Sequence, residues 1–152
     1  MTKQQKLDKI FIDLAINTSL LSKCVSIKVG SVLVKEGRPI SIGYNGTPEG
    51  FINCNEHFDE KAFNREEHHC WSSKYEIHSE MNTLGFASRK GIDTSNSILY
   101  SSLQPCNDCL RNVIAFGIKR IVYLNEYDKC VYDPTILKML DHSGIILEQY
   151  KE

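Results

Sequence analysis

The chain has 152 residues, 41% hydrophobic and 24% charged, with a formal charge of −1 at pH 7. These values suit one soluble domain able to bury about 70% of its unfolded surface. They argue against a protein that tracks a polyanion with a basic stripe, and no apolar run approaches the roughly 20 residues of a membrane span. Residues 1–10 are polar and lack the apolar region of a secretory signal, so a reducing, cytoplasmic setting is expected. Six cysteines, at 24, 54, 70, 106, 109 and 130, then point to metal binding rather than disulfides.

Residues 6–21 carry Leu7, Ile10, Phe11, Leu14, Ala15 and Leu21, spaced mostly by three, four and seven, which predicts an amphipathic helix. Val29–Lys35 and Pro39–Tyr44 predict a β-hairpin turning at Glu36-Gly37-Arg38. Asn45–Gly50 has turn chemistry, and 51–74, polar and aromatic with three histidines, reads as an irregular insertion. A helix is predicted from Lys74 to Arg89, a strand over Ser97–Ser101 and a helix over Cys106–Phe116 ended by Gly117. Lys119–Leu124 reads as a strand, Pro134–Leu140 as a helix and Ile145–Leu147 as a last strand. This order implies a single α/β domain, a mixed sheet covered by helices.

Two segments carry chemistry: His78-Ser79-Glu80, and Pro105-Cys106-Asn107-Asp108-Cys109. H-x-E followed by P-C-x-x-C is the signature of zinc deaminases. Cys106 and Cys109, three apart at a helix start, put both sulfurs on one face, where free backbone N–H groups favour the thiolate. His78 supplies a nitrogen, giving the three protein ligands of a catalytic zinc with a fourth position for water. Zinc lowers the pKa of that water to about 7 and makes a nucleophile for C4 of cytosine. Glu80, poorly placed to join the same shell, is the expected proton shuttle. The plainer reading, a closed structural zinc, calls for four Cys or His ligands, and these two segments supply three.

With those motifs in view the chain resembles the deoxycytidylate (dCMP) deaminases. The likeness covers about residues 5–148 and rests also on Ser22-Lys23-Cys24, residues 29–34, Gly43–Gly50 (G-Y-N-G-T-P-E-G), Ile77 through Asn82 and Gly117-Ile118-Lys119. Residues 68–82 look most like the bacteriophage form. The resemblance implies the cytidine-deaminase fold: three α/β/α layers around a five-stranded mixed sheet. It implies hydrolysis of dCMP to dUMP and ammonia, feeding thymidylate synthesis, with dCTP a possible further substrate. It also implies a homohexamer, activated by dCTP and inhibited by dTTP, each with Mg2+, in the host cytoplasm if phage-encoded. His78, Cys106 and Cys109 match the catalytic zinc ligands and Glu80 the shuttle. Ser79 departs from the usual Ala.

A second zinc is implied at Cys24, Cys54, His68 and Glu76, with His57, His69 and Cys70 as nearby substitutes. Without the resemblance, the plainer reading prevails: the two cysteines as small buried hydrophobes and His68 as a surface residue. Asn45 resembles the residue that holds the deoxyribose, Ser26 and Lys28 the phosphate contacts, and Tyr127 an aromatic that packs on substrate. Gly43, Tyr44, Gly46, Thr47, Gly50, Phe86 and Arg89 resemble the allosteric nucleotide site. The plain alternatives are an ordinary turn for 45–50, a solvated charge for Lys28, a half-buried loop residue for Tyr127, and for Arg89 a cation suited to a helix C-terminus. Competing functions are a nucleoside deaminase, a polynucleotide (tRNA or DNA) deaminase, which needs a basic channel, and a zinc-stabilised binding module without activity.

Overall fold

The computed structural model describes residues 1–152. In chain order the elements are α1 (Lys3–Ser19), β1 (Gly30–Lys35), β2 (Arg38–Tyr44), α2 (Cys54–His57), α3 (Arg65–Tyr75), α4 (Ser79–Arg89), β3 (Ile98–Leu103), α5 (Asn107–Val113), a 3-10 turn (Ile114–Phe116), β4 (Arg120–Asn125), α6 (Pro134–His142) and β5 (Ile146–Gln149). The sheet order is β2-β1-β3-β4-β5. β1 runs antiparallel to β2 and β3, while β3, β4 and β5 are parallel.

Local chemistry explains most boundaries. Thr2 and Gln5 close a capping box at the start of α1. Glu36 (φ 53°) and Gly37 (φ 73°) form a two-residue left-handed turn, which matches the twist of the β1–β2 hairpin. The strands then alternate. Val32, Val34, Tyr100 and Val122 meet Phe11, Ile12 and Ala15 of α1 on one face. Leu33, Leu99 and Ile121 meet Leu84, Leu110 and Ile136, from α4, α5 and α6, on the other. These are the three expected layers. Gly30 permits the first: a Cβ there would lie 2.1 Å from the carbonyl oxygen of Ala15.

The structure differs from the expectation in two places that matter for the site. Residues 51–74 are not irregular; they hold α2 and most of α3. His68 is the only buried residue of α3, so no apolar stripe marked the helix. Its start is fixed instead by Asn64, whose side chain accepts the Glu67 N–H at 3.0 Å. The single helix expected from Lys74 to Arg89 is broken at Glu76-Ile77-His78. Ile77 and Gly46 exchange two backbone hydrogen bonds, of 2.8 and 3.1 Å, which pulls this stretch out of helix. No helix is long and apolar enough to cross a membrane.

Candidate active site and metal centres

Two helix starts build the first cluster. His78 is the N-cap of α4 and Cys106 the N-cap of α5. His78 Nδ1 lies 3.5 Å from Cys106 Sγ and 3.4 Å from Cys109 Sγ. Zinc bonds of about 2.3 Å to sulfur and 2.0–2.1 Å to nitrogen, at a tetrahedral angle, would place such atoms about 3.6 Å apart. The donor set therefore fits zinc and leaves a fourth position. Cys106 Sγ accepts the Cys109 N–H at 3.4 Å. Hydrogen bonding from Cys109 and then from His78 lowers the Cys106 pKa to about 4, while the same pairing and burial push the Cys109 thiol up. Its bond to Cys106 raises the His78 imidazole to about 9.

Glu80, in the first turn of α4, is 4% exposed. Its Oε2 accepts from the Cys109 thiol at 3.5 Å and its Oε1 from the Ser101 hydroxyl at 3.4 Å. Burial raises its pKa. The break before α4 makes this arrangement possible: His78 stands in extended backbone outside the helix while Glu80 points inward from it.

The second cluster joins Cys24, Cys54, His68 and Glu76, whose ligand atoms all lie within 4.8 Å of one another. His68 Nε2 is 3.4 Å from Cys24 Sγ and 3.3 Å from Cys54 Sγ, again the spacing zinc requires. Glu76 Oε1 is buried without a hydrogen-bond partner, an orphan that a cation would satisfy. Burial raises the Cys24 pKa and takes Cys54 to about 12, and it lowers that of His68, which keeps the imidazole in its neutral ligand form. The possible substitutes stand outside the cluster. His57 stacks on Trp71 at 4.9 Å, and His69 and Cys70 are exposed.

The remaining expected residues are placed as follows. Asn45 is buried and tied to the chain: Oδ1 accepts the Val29 N–H at 2.9 Å and Nδ2 donates to the Ile27 carbonyl at 2.9 Å. It thus holds the segment carrying half-buried Ser26 and exposed Lys28. Tyr127 is half-buried and its N–H donates to Gln104 Oε1 at 3.0 Å. Gly43 faces α4, where a Cβ would stand 2.4 Å from Thr83 Oγ1, and Gly46 pairs with Ile77. Gly50 turns with φ 81°, Thr47 Oγ1 is buried and unpartnered, and Tyr44, Phe86 and Arg89 are exposed. Sequence reasoning missed Ser101 beside Glu80 and the Gln104 clasp. The available signal was the pair Ser101-Ser102 inside an otherwise apolar strand.

A model of the cytidine and deoxycytidylate deaminase zinc-binding region matches residues 5–125. The deoxycytidylate deaminase of Enterobacteria phage T4 is 36% identical, over 78% of this chain and 77% of that one. The enzyme of the same name from Schizosaccharomyces pombe is 34% identical over 94% of this chain and 44% of its own. The crystal structure of dCMP deaminase from cyanophage S-TIM5, in complex with dCMP and dUMP, superposes with a TM-score of 0.75 at 28% identity, covering 99% of each chain. A zinc-binding Cys/His cluster, the five-stranded mixed sheet and these likenesses agree: the chain belongs to the cytidine and deoxycytidylate deaminase family of zinc-dependent hydrolases.

Proposed function

We propose that this chain hydrolyses dCMP to dUMP and ammonia, with Glu80 carrying the protons and His78, Cys106 and Cys109 holding a catalytic zinc. The observation that carries the reading is one buried carboxylate set 3.5 Å from Cys109 within a three-donor cluster that leaves a ligand position open. Zinc bound there supplies a nucleophile from water at neutral pH. Glu80 takes one proton of the water as its oxygen bonds to C4 and passes it to ring N3; it then takes the proton of the new C4 hydroxyl and gives it to the amine, so that the C4 carbonyl forms as the C4–N bond breaks and ammonia leaves. A carboxyl whose pKa is raised by burial suits both taking and giving a proton.

The likeness to the phage T4 and S-TIM5 proteins supports dCMP as substrate. Exposed Lys28 and the Ser26 hydroxyl are the groups proposed for the 5′-phosphate, Asn45 for the deoxyribose and Tyr127 for a face of the substrate. Cys24, Cys54, His68 and Glu76 are proposed to hold a second, structural zinc that ties α2 and α3 to the loop before β1. Regulation by dCTP and dTTP, with magnesium carried on the triphosphate, is proposed at Gly43, Tyr44, Gly46, Thr47, Gly50, Phe86 and Arg89. A homohexamer is proposed on the family likeness alone.

The test is ammonia release from dCMP, dCTP, CMP and deoxycytidine, with and without dCTP or dTTP and magnesium. Preference for dCMP is expected, slowed by dTTP and relieved by dCTP. Equal turnover of deoxycytidine would overturn the substrate assignment. A flat effector response would remove regulation alone.

A further inference from the structure

We infer that Ser101 is a positioning residue that holds one oxygen of the Glu80 carboxylate, so that the other faces the metal donors. The inference rests on the reading of Glu80 as the proton carrier.

β3 lies in the middle of the sheet, between β1 and β4, with helices over both faces. Strands so placed normally carry Val, Ile or Leu, because a buried hydroxyl costs free energy unless it is bonded. Yet Ser101 is fully buried, and so is Ser31, its cross-strand partner on β1. Ser31 is accounted for: its hydroxyl pairs with that of Ser79 at 2.6 Å. Ser101 takes no part in that pair. Its oxygen accepts the Leu103 N–H at 3.4 Å, and its hydrogen is directed to Glu80 Oε1, also at 3.4 Å.

The chemistry of a shuttle gives this contact a use. The last torsion of a glutamate is broad and roughly two-fold, so packing along the stem does not fix the carboxylate plane. Here Oε1 rests on the sheet through Ser101, and Oε2 is turned toward Cys109. One oxygen is anchored and the other is presented to the water and the ring. An apolar residue at 101 would remove the one side-chain donor to Oε1 in a buried site.

The test compares Ser101→Ala, Ser101→Val and Ser101→Thr in the zinc-loaded protein, reading kcat, KM, zinc content and melting temperature. A hydrogen bond to a charged group sets the scale, so Ser101→Ala should lower kcat about tenfold. KM should stay within about twofold and zinc should be retained. Thr keeps the hydroxyl and Val has its shape without it, so Thr should recover most of the rate and Val should not. Ser41→Ala, which deletes another buried serine hydroxyl, one that donates to the Thr83 carbonyl at 2.7 Å rather than to Glu80, should keep the wild-type kcat. Wild-type kcat in Ser101→Ala, or equal rates in the Thr and Val variants, overturns the inference and leaves the proposed function standing. If Val or Thr fails to fold, the kcat and KM of Ser101→Ala decide. A zinc-loaded wild type that deaminates no cytosine nucleotide overturns both.

Discussion

Removing the carboxylate of Asp8 should destabilise the protein by about 3 kcal/mol, although Asp8 lies in the layer opposite the metal site. Asp8, on α1, is 7% exposed and accepts two bonds from Arg120 of β4, at 2.7 and 2.8 Å. It also accepts from the Tyr100 hydroxyl at 2.7 Å and from Gln4 at 2.8 Å. Breaking a buried pair by deleting one partner costs about 3–5 kcal/mol, because the other charge is left unpaired. The lower end applies here, since Arg120 keeps its ion pair with Glu148 of β5. For a chain of this size that is a fall of roughly 6–12 °C in melting temperature for Asp8→Ala.

The pH dependence follows from the same contacts. Burial works to raise the Asp8 pKa, but hydrogen bonds from Arg120, Tyr100 and Gln4 outweigh it, and the net value is lowered. A depressed carboxylate stabilises the fold above its unfolded pKa of about 4 and loses that contribution as pH falls through the folded value. The gap between wild type and Asp8→Ala, followed by circular dichroism, should be full at pH 7 and shrink below about pH 4. A difference under 2 °C at pH 7, or a gap that grows in acid, would refute the account.

Glu80→Gln keeps the shape of the side chain and should cut ammonia release by about 10²–10⁴ while zinc and melting temperature hold; a near-normal rate would remove the shuttle. Elemental analysis should find two zinc ions per chain, falling to about one in Cys54→Ser, with the 51–76 segment becoming protease-sensitive as it loses its tether. One zinc in wild type would contradict the second centre. Gly30→Ala forces a methyl against the backbone of α1 and should cost about 1–3 kcal/mol, read as a lower urea midpoint; an unchanged midpoint would mean that α1 shifts freely.

The legible parts of the sequence were those with period or punctuation. The stripe Leu7, Phe11, Leu14 and Ala15 gave α1, although Ile10 is exposed and Leu21 lies beyond the helix, which ends at Ser19; the short β-rich runs gave the strands, and Gly117 (φ 71°) ends the turn after α5 as expected. The proposed catalytic cluster was legible where donor spacing is local: Cys106 and Cys109 share one helix start. What escaped depends on partners distant in sequence. The break at Ile77 is imposed by Gly46, 31 positions earlier, and nothing in Lys74–Arg89 itself signals it. α3 escaped because its one buried side chain, His68, faces Cys24 and Cys54 rather than an apolar core. Asp8 hid inside an apolar stripe, its partner Arg120 being 112 residues away.

The position of the site follows from the parallel half of the sheet. β3 and β4 deliver their carboxyl ends side by side, and in open α/β sheets the crevice beyond those ends is where ligands sit. Leaving β3, the chain passes Gln104 and Pro105 and reaches Cys106; leaving β4, it runs through Tyr127 to Asp133. Three hydrogen bonds bind the two exits together. Gln104 Oε1 accepts the Tyr127 N–H, Asn107 Nδ2 donates to the Val131 carbonyl, and Asn107 Oδ1 accepts the Asp133 N–H, at 2.9–3.0 Å. The loop bearing Tyr127 is thereby referenced to the same helix start that presents Cys106. Gln104 and Asn107 lie on either side of the first proposed thiol ligand, so their side chains tie the proposed metal-donor segment to the segment proposed to face the substrate.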